Sequence, residues 1–241
     1  MAARSACIGS ASANPTTPPS PISRSSIAVR LVESFTSLQG ESTHAGRICF
    51  FIRLAGCNLD CNYCDTRYGR SFGAGEPASV DELVRRAQES GTKLVEITGG
   101  EPLATPETPE LCRRLLDAGF EVLLETNCSL PIAEIPREVR KILDCKLPGS
   151  GMAERNDFSN YALLAPHDEV KFVISCRADF DAMLEVIRRY DLPSKTANLL
   201  ASPVWGRVAF TDLAEWVVSS RAPVRMQLQM HKLIWGDRPG V

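Results

Sequence analysis

The chain has 241 residues, 44% of them hydrophobic, with 27 lysines and arginines against 29 aspartates and glutamates. That supplies one large core or two small ones. A formal net charge of −2 excludes the basic footprint of a nucleic-acid binder, and no apolar run approaches the ~20 residues that span a bilayer.

Residues 1–28 are rich in Ser, Ala and Pro and contain no acidic residue. Such a stretch buries too little apolar surface to offset its chain entropy, so it reads as a disordered N-terminal tail. Its composition faintly resembles an organelle transit peptide, but two arginines are thin support.

From Val29 onward, over residues 29–241, short β-type runs alternate with amphipathic helices. The strand candidates are 29–34, 49–54, 94–98, 120–126, 141–145, 169–175, 197–201 and 224–229. Most are near-continuous apolar runs, as buried parallel strands require. Ser79 and Glu82 make a capping box for a helix through Gln88. Thr108 is placed to cap a second helix, with Pro109 in its first turn and Gly119 at its end. Met183, Val186, Ile187 and Tyr190 form the apolar stripe of a third. Thr211 opens a fourth, with Leu213, Ala214, Trp216 and Val217 on its core side. Alternating β and α units imply a parallel sheet with right-handed crossovers. About seven strands over residues 29–241 fall short of a closed eight-fold barrel, which takes ~250 residues. The expected fold is therefore α/β: an incomplete, shortened TIM-like (β/α) barrel with mostly parallel strands. Its chemistry belongs in loops at the carboxyl ends of those strands.

Nine cysteines are an odd number, and no secretory signal is visible, which suits a reducing cytoplasm. Cys49, Cys112 and Cys176 lie in or beside apolar runs and read as small hydrophobes. Cys57, Cys61 and Cys64 differ: they are spaced C-x-x-x-C-x-x-C within AGCNLDCNYCDT. Structural zinc takes four closed ligands, and an all-cysteine cluster takes four thiolates. Three cysteines on a 4Fe-4S cubane leave one iron open for a small ligand. A zinc module would need a fourth ligand, and only His44 and Cys128 come near, at the wrong spacing. The spacing resembles that of radical S-adenosylmethionine (SAM) enzymes, in which SAM chelates the open iron and is cleaved to a deoxyadenosyl radical. Gly99-Gly100-Glu101-Pro102, one βα unit later, is a loop able to meet the amino group of SAM with carbonyl oxygens and a carboxylate. Asp144-Cys145-Lys146 puts charge where another strand meets the cavity.

The run TSLQGESTHAGRICFFIRLAGCNLDCNYCDT resembles the opening of 7-carboxy-7-deazaguanine synthases. TGGEP at 98–102, LLETNCS at 123–129, DCKLPGSG at 144–151, DEVKFVI at 168–174 and QMHKLIWG at 229–236 follow in the family's order. The resemblance implies conversion of 6-carboxy-5,6,7,8-tetrahydropterin to 7-carboxy-7-deazaguanine with loss of ammonia, in deazapurine or queuosine biosynthesis. The cofactors implied are a 4Fe-4S cluster, SAM and Mg2+; the partners are a flavodoxin or ferredoxin as electron donor and a second copy in a homodimer. Carried over by position, Cys57, Cys61 and Cys64 hold the cluster. Tyr63, Cys64, Asp65, Gly100, Asp144, Cys145, Lys146 and, after a later strand, Ser202, Pro203, Val204 and Trp205 meet SAM. Thr66 faces magnesium. Leu38, Gln39, Gly40, Arg53, Thr98 and His231 meet the pterin. No side chain is assigned to acid–base work in the radical step. Ser42 and Cys128 stand where the family often has glycine. A radical SAM activase, which makes a glycyl radical on a partner protein, is the alternative reading; it shares the cysteine spacing without the LQGE and CDT context.

Overall fold

A computed structural model describes residues 28–236 together with 238 and 240; the tail expected over the first 28 residues lies outside them but for Ala28. Nine strands form a single sheet: β1 (Ala28–Leu38), β2 (Ile48–Leu54), β3 (Glu76–Ser79), β4 (Leu94–Gly99), β5 (Glu121–Thr126), β6 (Arg140–Cys145), β7 (Glu169–Ile174), β8 (Asn198–Pro203) and β9 (Arg225–Met226). Their spatial order is β3-β1-β2-β4-β5-β6-β7-β8-β9, which is open at both ends. β2 and every strand after β3 run parallel. β1 is antiparallel to both β2 and β3. The unclosed barrel is thus the expected one, with β3 an addition whose EPAS sequence carries no apolar signal. The last strand is only Arg225–Met226, shorter than 224–229 suggests.

Helices α1 (Val80–Glu89), α2 (Thr108–Asp117), α3 (Arg177–Arg189) and α4 (Phe210–Ser220) cover the outer face, and α5 (Met230–Trp235), unforeseen from the pattern, ends the described chain. Ser79 Oγ caps α1 by accepting from Glu82 N at 3.1 Å. The capping box is only half made, because the Glu82 carboxylate turns to Arg86 instead. Thr108 is the first residue of α2 rather than its cap, and its hydroxyl donates to Pro102 O at 2.6 Å. α2 ends as expected: Gly119, at φ 86°, lets its own N–H reach Leu116 O and that of Phe120 reach Leu115 O. α4 begins at Phe210, one residue before Thr211.

Period-two alternation sorts the strand residues onto two faces. Phe50, Ile52, Leu54, Val95, Ile97, Val122 and Leu124 pack outward with residues of α1 and α2. Leu143, Cys145, Val170, Phe172, Ile174, Leu199 and Ala201 do the same with residues of α3 and α4. Inside, Cys49, Phe51, Leu94, Leu123 and Ile142 form a small apolar layer. Cys49 and Cys112 are fully buried, as expected, whereas Cys176 is exposed because it sits at the N-cap of α3.

β1 runs against the parallel strands, so its connection to β2 lies at their amino-terminal ends. That loop, 39–47, forms the floor: Thr43 Oγ1 donates to Glu169 at the start of β7, 2.5 Å, and Arg47 pairs with Glu121 at the start of β5, 2.6 Å. The side gap of the open barrel is bridged by the last segment. Met230 N donates to Gly40 O and Gln229 Nε2 to Glu41 Oε1, both at 2.9 Å. Ser42 and Cys128 each have φ 63°, the left-handed region that glycine enters without a Cβ penalty, which gives the departures from the family pattern a backbone meaning. No helix among the described residues is long and apolar enough to cross a membrane.

Candidate functional site

One cavity of about 440 Å³ opens between the carboxyl-end loops and the floor, within the usual range for a ligand site. Cys57, Cys61 and Cys64 line it, at the top of β2. Burial pushes the Cys57 and Cys61 thiols up, with Lys146 drawing Cys61 back. Such thiols need a positive metal centre to become thiolates. Among the described residues no three His, Cys, Asp or Glu side chains are packed closely enough to share one ion. Cysteines on a cubane each take a different iron, so they need not converge.

The loop is held from behind by the Gly99-Gly100 turn. A Cβ on Gly100 would lie 2.2 Å from Gly56 O and 2.8 Å from Cys57 Cβ. One on Gly99, at φ 154°, would lie 2.2 Å from Leu54 O. These glycines therefore admit the chain's own cysteine loop. Glu101 departs from its expected part. It is 0% exposed and turned away from the cavity. Its carboxylate accepts from Leu103 N at 2.9 Å, Thr126 Oγ1 at 2.8 Å and Asn127 N at 2.6 Å. It is a strut between β4 and β5, and burial raises its pKa to about 7.

Tyr63, Asp65, Thr66, Gly100, Asp144, Lys146, Val204 and Trp205 line the cavity. Lys146 Nζ holds Asp144 Oδ2 at 2.9 Å, and despite the burial that opposes its charge, Asp144 keeps the lysine pKa up. The other Asp144 oxygen, the Tyr63 hydroxyl and the Ser202 hydroxyl are buried with no partner among the described residues. A buried polar atom without a partner costs about 1–3 kcal/mol, so the two of these that line the cavity, at Asp144 and Tyr63, fit a polar ligand on the expected SAM side. The Cys145 side chain points the other way, into the outer core, because β6 alternates and Asp144 has the inner face. Ser202 and Pro203 are buried in β8 behind the lining. At the rim, Asp65 Oδ2 meets Lys232 at 3.1 Å and Asp65 Oδ1 accepts from the Thr66 hydroxyl at 3.1 Å. Burial works against the Asp65 charge, but Lys232 and these bonds outweigh it and hold its pKa low.

Lower down, Leu38, Gln39, Arg53, Thr98 and His231 line the same cavity. Gly40 lies just outside it, pressed against His231. Arg53 has a partner: its Nε donates to Glu33 Oε1 at 2.7 Å, an oxygen that also accepts from Tyr68 Oη at 2.8 Å. The Gln39 amide is already engaged, donating to Glu96 and accepting from Glu41 N at 2.8 Å.

Among the lining residues that escaped the sequence reading, Glu41, Glu96, Glu125 and Lys171 form one charged group at the base. Lys171 Nζ meets Glu125, and also Glu41 Oε2 at 2.9 Å and Asp144 Oδ2 at 3.8 Å. Burial opposes each charge, yet the carboxylates keep the Lys171 pKa high and Lys171 with Gln229 keeps that of Glu41 low. Glu96 is the exception. Burial and the nearby Glu125 push its pKa well up. The missed signal was a charged residue on the inner phase of an apolar strand: Glu96 in LVEITG, Glu125 in EVLLET, Lys171 in EVKFVI.

The radical SAM superfamily model matches residues 51–215. A chain from Koribacter versatilis named 7-carboxy-7-deazaguanine synthase is 40% identical over 221 residues, spanning 86% of this chain and 97% of its own. One of the same name from Chlorobaculum tepidum is 39% identical, spanning 88% and 97%. Among solved structures, QueE from Escherichia coli superposes with a TM-score of 0.69 at 23% identity, covering 85% of this chain and 95% of its own, a likeness of fold.

Proposed function

The chain belongs to the radical SAM superfamily and, within it, to the 7-carboxy-7-deazaguanine synthases, and from that premise we propose how its cavity turns 6-carboxy-5,6,7,8-tetrahydropterin into 7-carboxy-7-deazaguanine and ammonia. The observation that carries the reading is that one cavity holds the three cysteines at its mouth and a group of carboxyl side chains around Lys171 at its base. The relatives' names support this reaction and not that of an activase.

Cys57, Cys61 and Cys64 would hold the 4Fe-4S cluster. Bound there, the cluster and SAM supply a carbon radical able to take hydrogen from the substrate carbon that bears the carboxylate. The chain's residues bind, orient and exclude water. The unpartnered Tyr63 hydroxyl and Asp144 Oδ1 meet SAM polar groups, and Val204 and Trp205 cover its apolar side. Arg53, fixed through Nε by Glu33, offers its terminal nitrogens to the substrate carboxylate. Glu41 and Glu125 accept from the N–H-rich pterin, with Lys171 paired to both before the substrate arrives. Thr98 and His231 meet the pterin at its edges, and Leu38 and Gly40 shape the floor under it. The Gln39 amide works by fixing Glu41 and Glu96.

Magnesium belongs at Thr66. Its hydroxyl donates to Asp65, which leaves its lone pairs for a cation completed by substrate oxygens and water. Thr66→Ala then keeps iron and sulfide while losing most of the response of turnover to magnesium; an unchanged magnesium profile refutes the assignment. Electrons come from a small external donor of the flavodoxin or ferredoxin kind, and the protein works as a homodimer. The reaction itself is tested by anaerobic reconstitution with iron and sulfide, then SAM, reductant, magnesium and carboxytetrahydropterin, with mass spectrometry of the product. Carboxydeazaguanine is the expected product; SAM cleavage without it overturns the substrate assignment.

A further inference from the structure

Behind the cysteine loop three polar side chains close a hydrogen-bonded ring. Asn127 Nδ2 donates to Asn58 Oδ1 at 3.1 Å, Asn58 Nδ2 donates to Ser129 Oγ at 2.8 Å, and Ser129 Oγ donates to Asn127 Oδ1 at 2.6 Å. The backbone fixes the sense of this ring. Ser129 N–H, which can only donate, meets Asn127 Oδ1 at 3.1 Å. That atom is therefore the oxygen, and the amide nitrogen lies on the opposite side, toward the cysteines. The Asn127 backbone N–H is pinned in turn to the buried Glu101 carboxylate at 2.6 Å. Of the two hydrogens on Asn127 Nδ2, one serves Asn58. The other faces Cys57 Sγ, 3.8 Å away. Neither Cys61 nor Cys64 has a side-chain donor among the described residues, so the three sulfurs are not equivalent.

We propose that Asn127, locked by Ser129, Asn58 and Glu101, is a positioning residue that donates an N–H to the Cys57 sulfur and so raises the reduction potential of the iron–sulfur cluster. The inference rests on Cys57, Cys61 and Cys64 holding that cluster. Adding an electron makes the ligand sulfurs more basic, so a donor aimed at one of them stabilises the reduced state more than the oxidised one. Hydrogen bonds to sulfur are among the levers by which a protein sets cluster potential. A donor also has to be immobile to act, because a free amide would turn its oxygen to the sulfur half the time and reverse the effect. The Ser129 N–H prevents that turn. Glu101 thereby gains a role that its distance from the cavity hides: it fixes the backbone from which Asn127 projects.

The test is an EPR-monitored redox titration of anaerobically reconstituted protein, without SAM or substrate, after iron and sulfide have been counted. A wild type that binds no cluster overturns the cysteine assignment and this inference with it. With the cluster present, Asn127→Ala and Asn127→Asp both shift the potential downward. Loss of one donor is expected to make reduction roughly tenfold harder, about 59 mV for a one-electron couple. Asn127→Asp, which keeps the shape and adds negative charge, shifts it further than Asn127→Ala. Ser129→Ala keeps the backbone N–H on Asn127 Oδ1 but removes the hydroxyl that donates to that oxygen and accepts from Asn58, so it loosens the amide without freeing it and shifts the potential the same way by less. A purely structural role would alter unfolding and leave the potential of loaded protein where it was. An unchanged potential in loaded Asn127→Ala and Asn127→Asp overturns the proposal. Should those two variants fail to load, Asn127→Ser, which stays polar but is too short to reach Cys57 Sγ, decides it on the same terms.

Discussion

Gly40→Ala probes how the open barrel is closed. Gly40 is not among the residues in the left-handed region, so its backbone accepts alanine and only the new contact matters. The added methyl would lie 2.2 Å from His231 Nδ1 and 3.0 Å from the His231 backbone nitrogen. The imidazole must swing out of the cavity, and the start of α5 must give by several tenths of an ångström. Two bonds depend on that position: Met230 N to Gly40 O and Gln229 Nε2 to the Glu41 carboxylate, each 2.9 Å. Overpacking of this kind costs about 1–3 kcal/mol, and weakening one neutral and one charge-assisted bond adds about 1–2 kcal/mol. The strain falls on the last described element, so part of it is relieved by local detachment, and we expect a net loss of about 2 kcal/mol. In a domain of this size that is a fall of about 4–8 °C in Tm. Faster hydrogen exchange over residues 229–235 and a raised KM should accompany it, because Gln229, His231 and Lys232 all line the cavity. A double-mutant cycle separates the contact from other effects. His231→Ala removes the ring that the methyl strikes, so the double variant should be more stable than the sum of the singles predicts, by at least about 1 kcal/mol. Additivity within about 0.5 kcal/mol, or a Gly40→Ala protein with unchanged KM and exchange, refutes the reasoning.

Replacing Cys57, Cys61 or Cys64 by Ala should abolish iron and sulfide binding and SAM cleavage while far-ultraviolet circular dichroism stays unchanged; a variant that still cleaves SAM defeats the cluster assignment. Lys171→Met strands Glu41 and Glu125 without their cation. Breaking a buried pair from one side costs about 3–5 kcal/mol. The burial that opposes ionisation of Glu41 then goes unanswered and its pKa rises, so the deficit should shrink as pH falls and Glu41 protonates. Urea midpoints at pH 5 and 8 test this, and a loss independent of pH contradicts it. His44 is held below its ordinary pKa of 6.5 by burial and by Arg140, with Glu121 opposing them. The folded state then binds fewer protons than the unfolded chain, so stability rises with pH up to about 6.5 and falls on acidification. His44→Gln should flatten that acid limb in thermal scans from pH 5 to 7, and an unaltered slope rules the assignment out.

Much of this protein was legible as a string. The cysteine spacing, the apolar runs and the family motifs pointed to the iron–sulfur and SAM chemistry and to the open parallel barrel, because each depends on neighbours in sequence. Ser79 as a cap and Gly119 as a helix end were readable for the same reason: the bonds that define them span only a few residues. Glu101 shows where that reading stops. In GGEP its carboxylate looks available to a ligand, yet it is folded back onto Thr126 and Asn127, some 25 residues further along. Cys145 sits beside two charged residues of the cavity but faces the core, since strand alternation assigns neighbours to opposite sides. Lys171 belongs to the site only because Glu41 and Glu125, 130 and 46 residues away, converge on it. The sequence by itself determined the elements, the cysteine loop and the family. Only the tertiary structure decided which charges meet, which polar atoms are left for a ligand, and that the chain's last segment seals its first loop, because burial and long-range pairing do not exist until the strands are brought side by side.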